Sequence, residues 1–477
     1  MSSNSNSVKR SSWSGTFVFI MATIGSAVGL GAIWKFPYMT GTYGGSAFVL
    51  VYFLCSILLA LPLAMGEILL GKIAQANPAD SLNVALNKSD NFVKNTLQQT
   101  PRLTFFHNKN LFWKTIGLLA IISPFLVCIY YPVVGGWVLH YGYASIAQID
   151  TTTTNYFSNF LNSPYQQILW HFIFLLISTL IVGLGVDKGI GNANVIMMPG
   201  LFFILLTLLG FGIAYGNFDK SFEFLFHFDL SQITPKVVLA ALGQAFFSTS
   251  LGLGILICYG SYISHNNDIA SNTFVVVLAN IFVSILAGLA IFSFVFATDL
   301  QVDAGPSLIF RILPIAFTSL PFTHIIEPLF YILLIFAVIT SMVSILEPLV
   351  SFLMENFPKL FCNRFRTLLA IFIIMWKFGM IVSLSSIEGH YMEDIFQNIL
   401  YSGLGLFDFL DKLSTTIIIP LAALPTAIFV GYAINKTLLQ QKLNLTNTTL
   451  FNIWFFMIKY IAPVGIVIIF LMEFIKI

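Results

Sequence analysis

Three stretches of this sequence combine residue types that could hold a small charged ligand inside an apolar protein. Gly25–Gly31 reads GSAVGLG and Gly243–Gly254 reads GQAFFSTSLGLG. Each glycine weakens a helix by about 1 kcal/mol relative to alanine. In hydrocarbon a bare N–H or C=O costs several kcal/mol, so an opened helix survives only where it lines a cavity or grips something. Opened half-helices present N–H groups to an anionic group and carbonyls to a cation or ammonium, and a zwitterionic amino acid offers both. The third stretch carries Ala337, Thr340 and Ser341, three and four residues apart and so on one helix face. Its two hydroxyls and any freed carbonyls supply the oxygens that a hard alkali cation prefers. Plainer readings exist. Gly25 and Gly29 also form the GxxxG pattern of close helix contact, and Thr or Ser in a membrane helix commonly bonds back to its own carbonyls.

The elements that position these stretches follow from composition. The chain has 477 residues, 57% hydrophobic and 9% charged, with a mean hydropathy of +0.89. That balance excludes a soluble globular domain and implies an all-α polytopic membrane protein. A net charge of +2 gives no reason to expect nucleic acid. Cys55, Cys128 and Cys258 lie in apolar runs and Cys362 near a basic loop, which suggests no disulfide framework. The polar start MSSNSNSVKR lacks a signal-peptide pattern, so the first apolar helix is expected to stay in the mature protein.

A span needs about 20 apolar residues. Eleven are expected, at roughly 16–42, 46–71, 115–146, 167–186, 190–215, 237–263, 272–298, 325–353, 366–386, 404–434 and 450–475. Lys9, Arg10, Lys72, Lys88, Lys94, Arg102, Lys109, Lys114, Lys188, Lys359, Arg364, Arg366, Lys436 and Lys442 fall on one side of this arrangement. That side is therefore cytoplasmic, with the N-terminus inside and the C-terminus outside an inner (cytoplasmic) membrane. Residues 72–114 read as a long cytoplasmic loop. Spans one and six, both glycine-broken, each open a possible five-helix unit, and two such interruptions in matching places point to a midplane site in secondary transporters. The expected organisation is a cytoplasmic segment 1–15, a first repeat 16–215, an inverted second repeat 237–434, and an eleventh helix 450–477.

Taken together, Trp13, GSAVGLGAIWKFPY, GGSAFVLVY, PLAMGE, IYY at 129–131, the sixth-span run and TSMVSILEP at 340–348 resemble the neurotransmitter:sodium symporters, in particular the shorter prokaryotic amino-acid transporters. The resemblance runs from Arg10 through the eleventh span. It implies a leucine-transporter-type 5+5 inverted repeat with helices one and six unwound at mid-membrane. It implies a second sodium site from the carbonyls of Gly25, Val28 and Ala337 with the hydroxyls of Thr340 and Ser341. The substrate carboxylate would meet the amides of Leu30 and Gly31 and the Tyr131 hydroxyl. Its ammonium would meet the carbonyls of Ala27, Phe247 and Ser248 and the Ser250 hydroxyl. Val127, Phe247, Leu253 and Ile345, with Ser341 beside them, would complete the pocket. Gly29 stands where monoamine carriers have an aspartate, which implies an amino acid rather than an amine, and the apolar pocket without a charge favours a neutral hydrophobic or aromatic side chain.

The first sodium site departs from the family pattern. Ala27, Ser248 and Asn280 fit, whereas Ala32 replaces an asparagine ligand and a methyl cannot coordinate. Tyr52, Gln244, Ser248 and Ser284 match the chloride-binding form of the family, Ser284 replacing a carboxylate. Lys35 and Asp411 would form the outer gate, without the planar fork an arginine provides, and Phe247 the lid. Arg10, Trp13, Tyr262 and Glu355 would form the cytoplasmic latch. Gly189 and Pro199 bracket nine residues of the fifth span like the family's unwinding element. Glu67 and Glu347 are intramembrane carboxylates; His140, His171 and Lys377 receive no role. The resulting expectation is a sodium-coupled symporter, not an enzyme, monomeric or homodimeric in the bilayer. It needs no cofactor beyond Na⁺ and, by the site match, Cl⁻. Proton-coupled or uncoupled exchange through Glu347, and amino-acid sensing without transport, are the alternatives.

Overall fold

The computed structural model describes residues 11–96, 110–153, 155–263, 267–298, 307–387, 405–445 and 447–475, and among these no strand occurs. Among the described residues, nine helices are long and apolar enough to cross a membrane: Ser46–Ala74, Phe112–Ile146, Pro164–Gly183, Val186–Tyr215, Ile269–Val295, Thr323–Asn356, Arg364–Ser385, Leu406–Ala433 and Thr448–Ile468. The helices Thr16–Ala27 and Gly31–Thr42, bent by 46° at the break between them, make a tenth. The sixth expected span is in two pieces, Pro235–Ser248 and Ile255–Ser261, each too short to cross alone. Residues 72–114 are not an extended loop throughout, because Pro78–Thr96 forms an amphipathic helix.

The two breaks have different local causes. After Ala27, Val28 leaves helical geometry (φ −81, ψ 71), and the Gly29 N–H turns back to the Ala27 carbonyl at 3.0 Å. Between Ser248 and Ile255, Ser250, Gly252 and Gly254 all take left-handed backbone (φ +57, +69 and +67), which stops a right-handed helix. Glycine suits two of these positions for a second reason: a Cβ at Gly252 would lie 2.4 Å from the Ile419 carbonyl oxygen, and one at Gly254 2.4 Å from that of Ala120.

Packing divides the bundle. Phe112–Ile146, Pro164–Gly183, Thr323–Asn356 and Arg364–Ser385 pack mutually. The broken helices pack with Ser46–Ala74 and Ile269–Val295 in a second group. The Thr16–Ala27 half-helix lies at the seam, against Thr323–Asn356, Ile269–Val295 and Asn192–Tyr215. Close approach there is what Gly25 and Gly29 permit. A Cβ at Gly29 would come 2.0 Å from the Ser341 Oγ, and one at Gly25 would come 1.7 Å from the Asn194 Oδ1. The GxxxG contact and the opened helix are therefore one feature.

Candidate functional site

The break in the first helix leaves carbonyls that side chains of other helices meet. Ser250 Oγ donates to the Ser26 carbonyl at 2.6 Å, Ser341 Oγ to that of Gly25 at 3.4 Å, and Gln244 Nε2 to that of Gly31 at 2.7 Å. Between the two breaks and the Thr323–Asn356 helix lies a cavity of about 30 Å³. Of the expected substrate residues, Ala27, Leu30, Gly31, Val127, Tyr131, Phe247, Ser250, Leu253, Ser341 and Ile345 line it. Ser248 does not. Gly29, which the resemblance places opposite the aspartate of monoamine carriers, also lines it, and so does Ser26, which was missed. The buried Tyr131 hydroxyl has no protein partner, an acceptor or donor left over for a ligand.

Beside this cavity the oxygens expected for a cation come together. Ser341 Oγ is 3.4 Å from the Gly25 carbonyl, and Thr340 Oγ1 is 3.1 Å from that of Ala337. Oxygens about 2.4 Å from a hard cation in an octahedron lie about 3.4 Å from one another, so these spacings fit such an ion. Thr340 Oγ1 also reaches back to the Phe336 carbonyl at 2.8 Å. This is the back-bond of an ordinary membrane-helix threonine, and it uses the proton while leaving lone pairs free.

A second polar cluster surrounds Asn280. Tyr52 Oη lies 3.2 Å from Ser248 Oγ and 3.4 Å from Ser284 Oγ, and the Asn280 amide touches both Tyr52 Oη and Ser248 Oγ. With its nitrogen turned the other way, Asn280 donates to the Ala27 and Ser248 carbonyls at 3.2 Å; with its oxygen there, three oxygens meet with no proton between them. The second arrangement suits a bound cation. Ala32, fully buried, brings no oxygen. Gln244 does not join the hydroxyl cluster: its nitrogen is used on Gly31, and its Oε1 is buried without a partner.

Glu67 has a local task. Its Oε1 accepts from the Gly252 N–H at 2.9 Å, satisfying a peptide group bared by the second break, and its Oε2 has no partner. Glu67→Ala should leave that donor unmet, at about 1–3 kcal/mol, and lower thermal stability in detergent. Glu67→Gln, which keeps an acceptor oxygen, should stay near wild type; equal losses in both variants would assign the effect to the charge instead.

Above the cavity, Lys35 Nζ is 3.9 Å from Asp411 Oδ2 and 4.4 Å from the centre of the Phe247 ring. Tyr130 Oη donates to Asp411 at 3.1 Å. These residues border a vestibule of about 130 Å³ that shares Leu30, Tyr131 and Phe247 with the cavity below. Asp408, also on the vestibule wall, had no sequence signal. At the opposite end the Trp13 N–H donates to the Tyr262 carbonyl (3.2 Å) and its Nε1 to that of Tyr259 (3.1 Å). Tyr262 Oη donates to Glu347 at 2.9 Å, and Arg364 forms a buried ion pair with the same carboxylate. Glu355 accepts from the Asn77 N–H and Nδ2, both at 2.9 Å. Arg10 lies outside the described residues.

Comparison with known proteins gives this arrangement its context. Residues 10–84 and 161–477 match the sodium:neurotransmitter symporter family. The chain is 32% identical over 467 residues to the uncharacterized sodium-dependent transporter YhdH of Bacillus subtilis (strain 168), covering 96% of both chains. It is 27% identical over 434 residues to the creatine transporter of Torpedo marmorata, covering 83% of this chain and 69% of that one. Among solved structures, it is similar to the crystal structure of MhsT in complex with L-phenylalanine. The TM-score is 0.82 and the identity 32%, over 97% of this chain and 99% of that one. With both the broken-helix fold and the family match in hand, the chain belongs to the sodium:neurotransmitter symporter family and is a membrane transporter, not an enzyme.

Proposed function

We propose that the protein couples inward sodium flow to uptake of a neutral hydrophobic or aromatic L-amino acid. The observation that carries this reading is the pairing of a small, mainly apolar cavity lined by residues of both helix breaks with an oxygen cluster at Thr340 and Ser341. A carboxylate would bind at the Leu30–Gly31 turn and Tyr131, an ammonium at the Ala27, Phe247 and Ser248 carbonyls and Ser250. Val127, Phe247, Leu253 and Ile345 leave an uncharged wall for the side chain. The MhsT–phenylalanine complex supports an aromatic ligand by likeness. One sodium would bind at Gly25, Val28, Ala337, Thr340 and Ser341, and a second at Ala27, Ser248 and Asn280, weakened by Ala32.

Transport would proceed by alternating access, spans one, two, six and seven rocking against three, four, eight and nine, with the N-terminus cytoplasmic. Lys35, Asp411 and Phe247 would close the outer route; Arg10, Trp13, Tyr262 and Glu355 the inner one. Sodium and amino acid drive uptake together because both stabilise the occluded state.

The test is flux of radiolabelled phenylalanine, leucine and tryptophan into proteoliposomes with outside Na⁺ replaced by K⁺. Uptake should vanish without Na⁺; undiminished uptake would reject the coupling. A chloride arm, with gluconate as substitute, tests the expected chloride residues, the Tyr52, Ser248 and Ser284 cluster together with Gln244. Ser284 brings no negative charge, so uptake should fall without chloride, and unchanged uptake would leave these groups satisfying one another.

A further inference from the structure

The fifth span contributes one polar side chain to the seam that neither the expected ion sites nor the substrate cavity uses. Asn194 is fully buried. Its Nδ2 donates to the Ile190 carbonyl at 2.8 Å, one turn back. That bond fixes the amide, because exchanging the two ends would set an oxygen against the Ile190 carbonyl oxygen. Its Oδ1 is therefore aimed away from its own helix, and it has no hydrogen-bond partner.

The direction of that oxygen is what matters. A Cβ placed on Gly25 would stand 1.7 Å from Asn194 Oδ1 and 3.2 Å from the Thr340 Cβ. The oxygen thus occupies the space a side chain at Gly25 would fill, between the Gly25 backbone and Thr340. No donor is on offer there. The Gly25 face turned to it is a Cα, and the Thr340 hydroxyl proton points to Phe336 and Ala337. A buried carbonyl oxygen without a donor is unfavourable in an apolar interior. An ordinary helix asparagine would avoid it by pointing its oxygen at water or a neighbouring N–H. A cation beside Gly25 and Thr340 would satisfy this oxygen.

We infer that Asn194 Oδ1 is a further oxygen ligand for the sodium ion held by Gly25, Val28, Ala337, Thr340 and Ser341, supplied by the fifth span. The inference rests on the proposed sodium coupling. It also ties the ion to the turn Val186–Gly191, which follows Gly185 in left-handed backbone (φ +103) and contains the Ile190 carbonyl that anchors the amide.

The test is equilibrium binding of ²²Na⁺ to purified wild type, Asn194→Leu, Asn194→Asp and Thr340→Val. Leucine keeps the volume and removes the oxygen, so Na⁺ affinity should fall about tenfold, as loss of one supporting ligand does at other metal sites. Aspartate is nearly isosteric and adds charge, so its affinity should exceed wild type severalfold. Wild-type affinity in Asn194→Leu overturns the inference, and should that variant fail to fold, wild-type affinity in Asn194→Asp overturns it equally. Absence of Na⁺ binding in wild type would instead reject the sodium-coupled reading itself, and Thr340→Val, expected to lower Na⁺ affinity about tenfold by removing an oxygen of the same site, separates the two cases.

Discussion

Replacing Thr340 by valine and Ser341 by alanine in one protein should lower sodium-driven uptake roughly a hundredfold. Each change removes one oxygen from the cluster beside Gly25 and Ala337, and about tenfold in ion affinity per oxygen is the low end of what even a hydrogen-bond partner of a ligand contributes at other metal sites. The two need not add strictly, since the hydroxyls share one site. Valine is nearly isosteric with threonine, and the back-bond it forfeits to Phe336 contributes little. The bundle should therefore fold, which size-exclusion behaviour checks. The loss should show as a higher Na⁺ requirement, with uptake partly recovered at molar Na⁺. Uptake that stays low at every Na⁺ concentration would point to a packing fault.

The second large effect concerns Arg364. Its guanidinium pairs with the fully buried Glu347, which also accepts from Tyr262, and its Nε donates to the Val182 carbonyl at 2.6 Å. Arg364→Ala strands a carboxylate in the interior, a change that costs about 3–5 kcal/mol when one partner of a buried pair is removed. It should sharply lower the melting temperature in detergent. Adding Glu347→Gln to Arg364→Ala removes the stranded charge and should recover much of the stability. The pairing also bears on proton coupling through Glu347, because protonating this acid would leave the guanidinium unpaired. Glu347→Gln alone should weaken uptake while leaving its dependence on Na⁺ intact and its response to pH no steeper. Complete loss of a pH-driven component would favour the proton-coupled alternative.

The broken helices were legible in the sequence because glycines cluster at both, although only at the second do they themselves take the helix-ending backbone. Gly25, Gly29 and Gly31 punctuate the first helix, and Gly252 and Gly254 take the left-handed backbone that ends the sixth. Ser250, equally left-handed, gave no signal, since its conformation is imposed by the turn around it. Thr340 and Ser341 could be read from spacing, as helical periodicity fixes which side chains share a face. Partners across long sequence distances were not legible. Nothing near Glu347 names Arg364, which read as a loop charge. Nothing near Gly252 names Glu67, 185 residues away. Asn194 lay unnoticed inside the Gly189–Pro199 stretch, where only the bracketing residues carried meaning. Lys35, which lacks a planar fork, meets Asp411 at 3.9 Å and also lies over the Phe247 ring.

In the proposed arrangement the cation and the amino acid would both use peptide groups of the first helix break, so each should tighten the other by one common factor. The most direct measurement is the affinity for ²²Na⁺ in purified protein with and without saturating L-phenylalanine. The account predicts tighter Na⁺ binding with the amino acid, and a matching gain in phenylalanine affinity with Na⁺. Na⁺ affinity that is the same with and without a bound amino acid would contradict it.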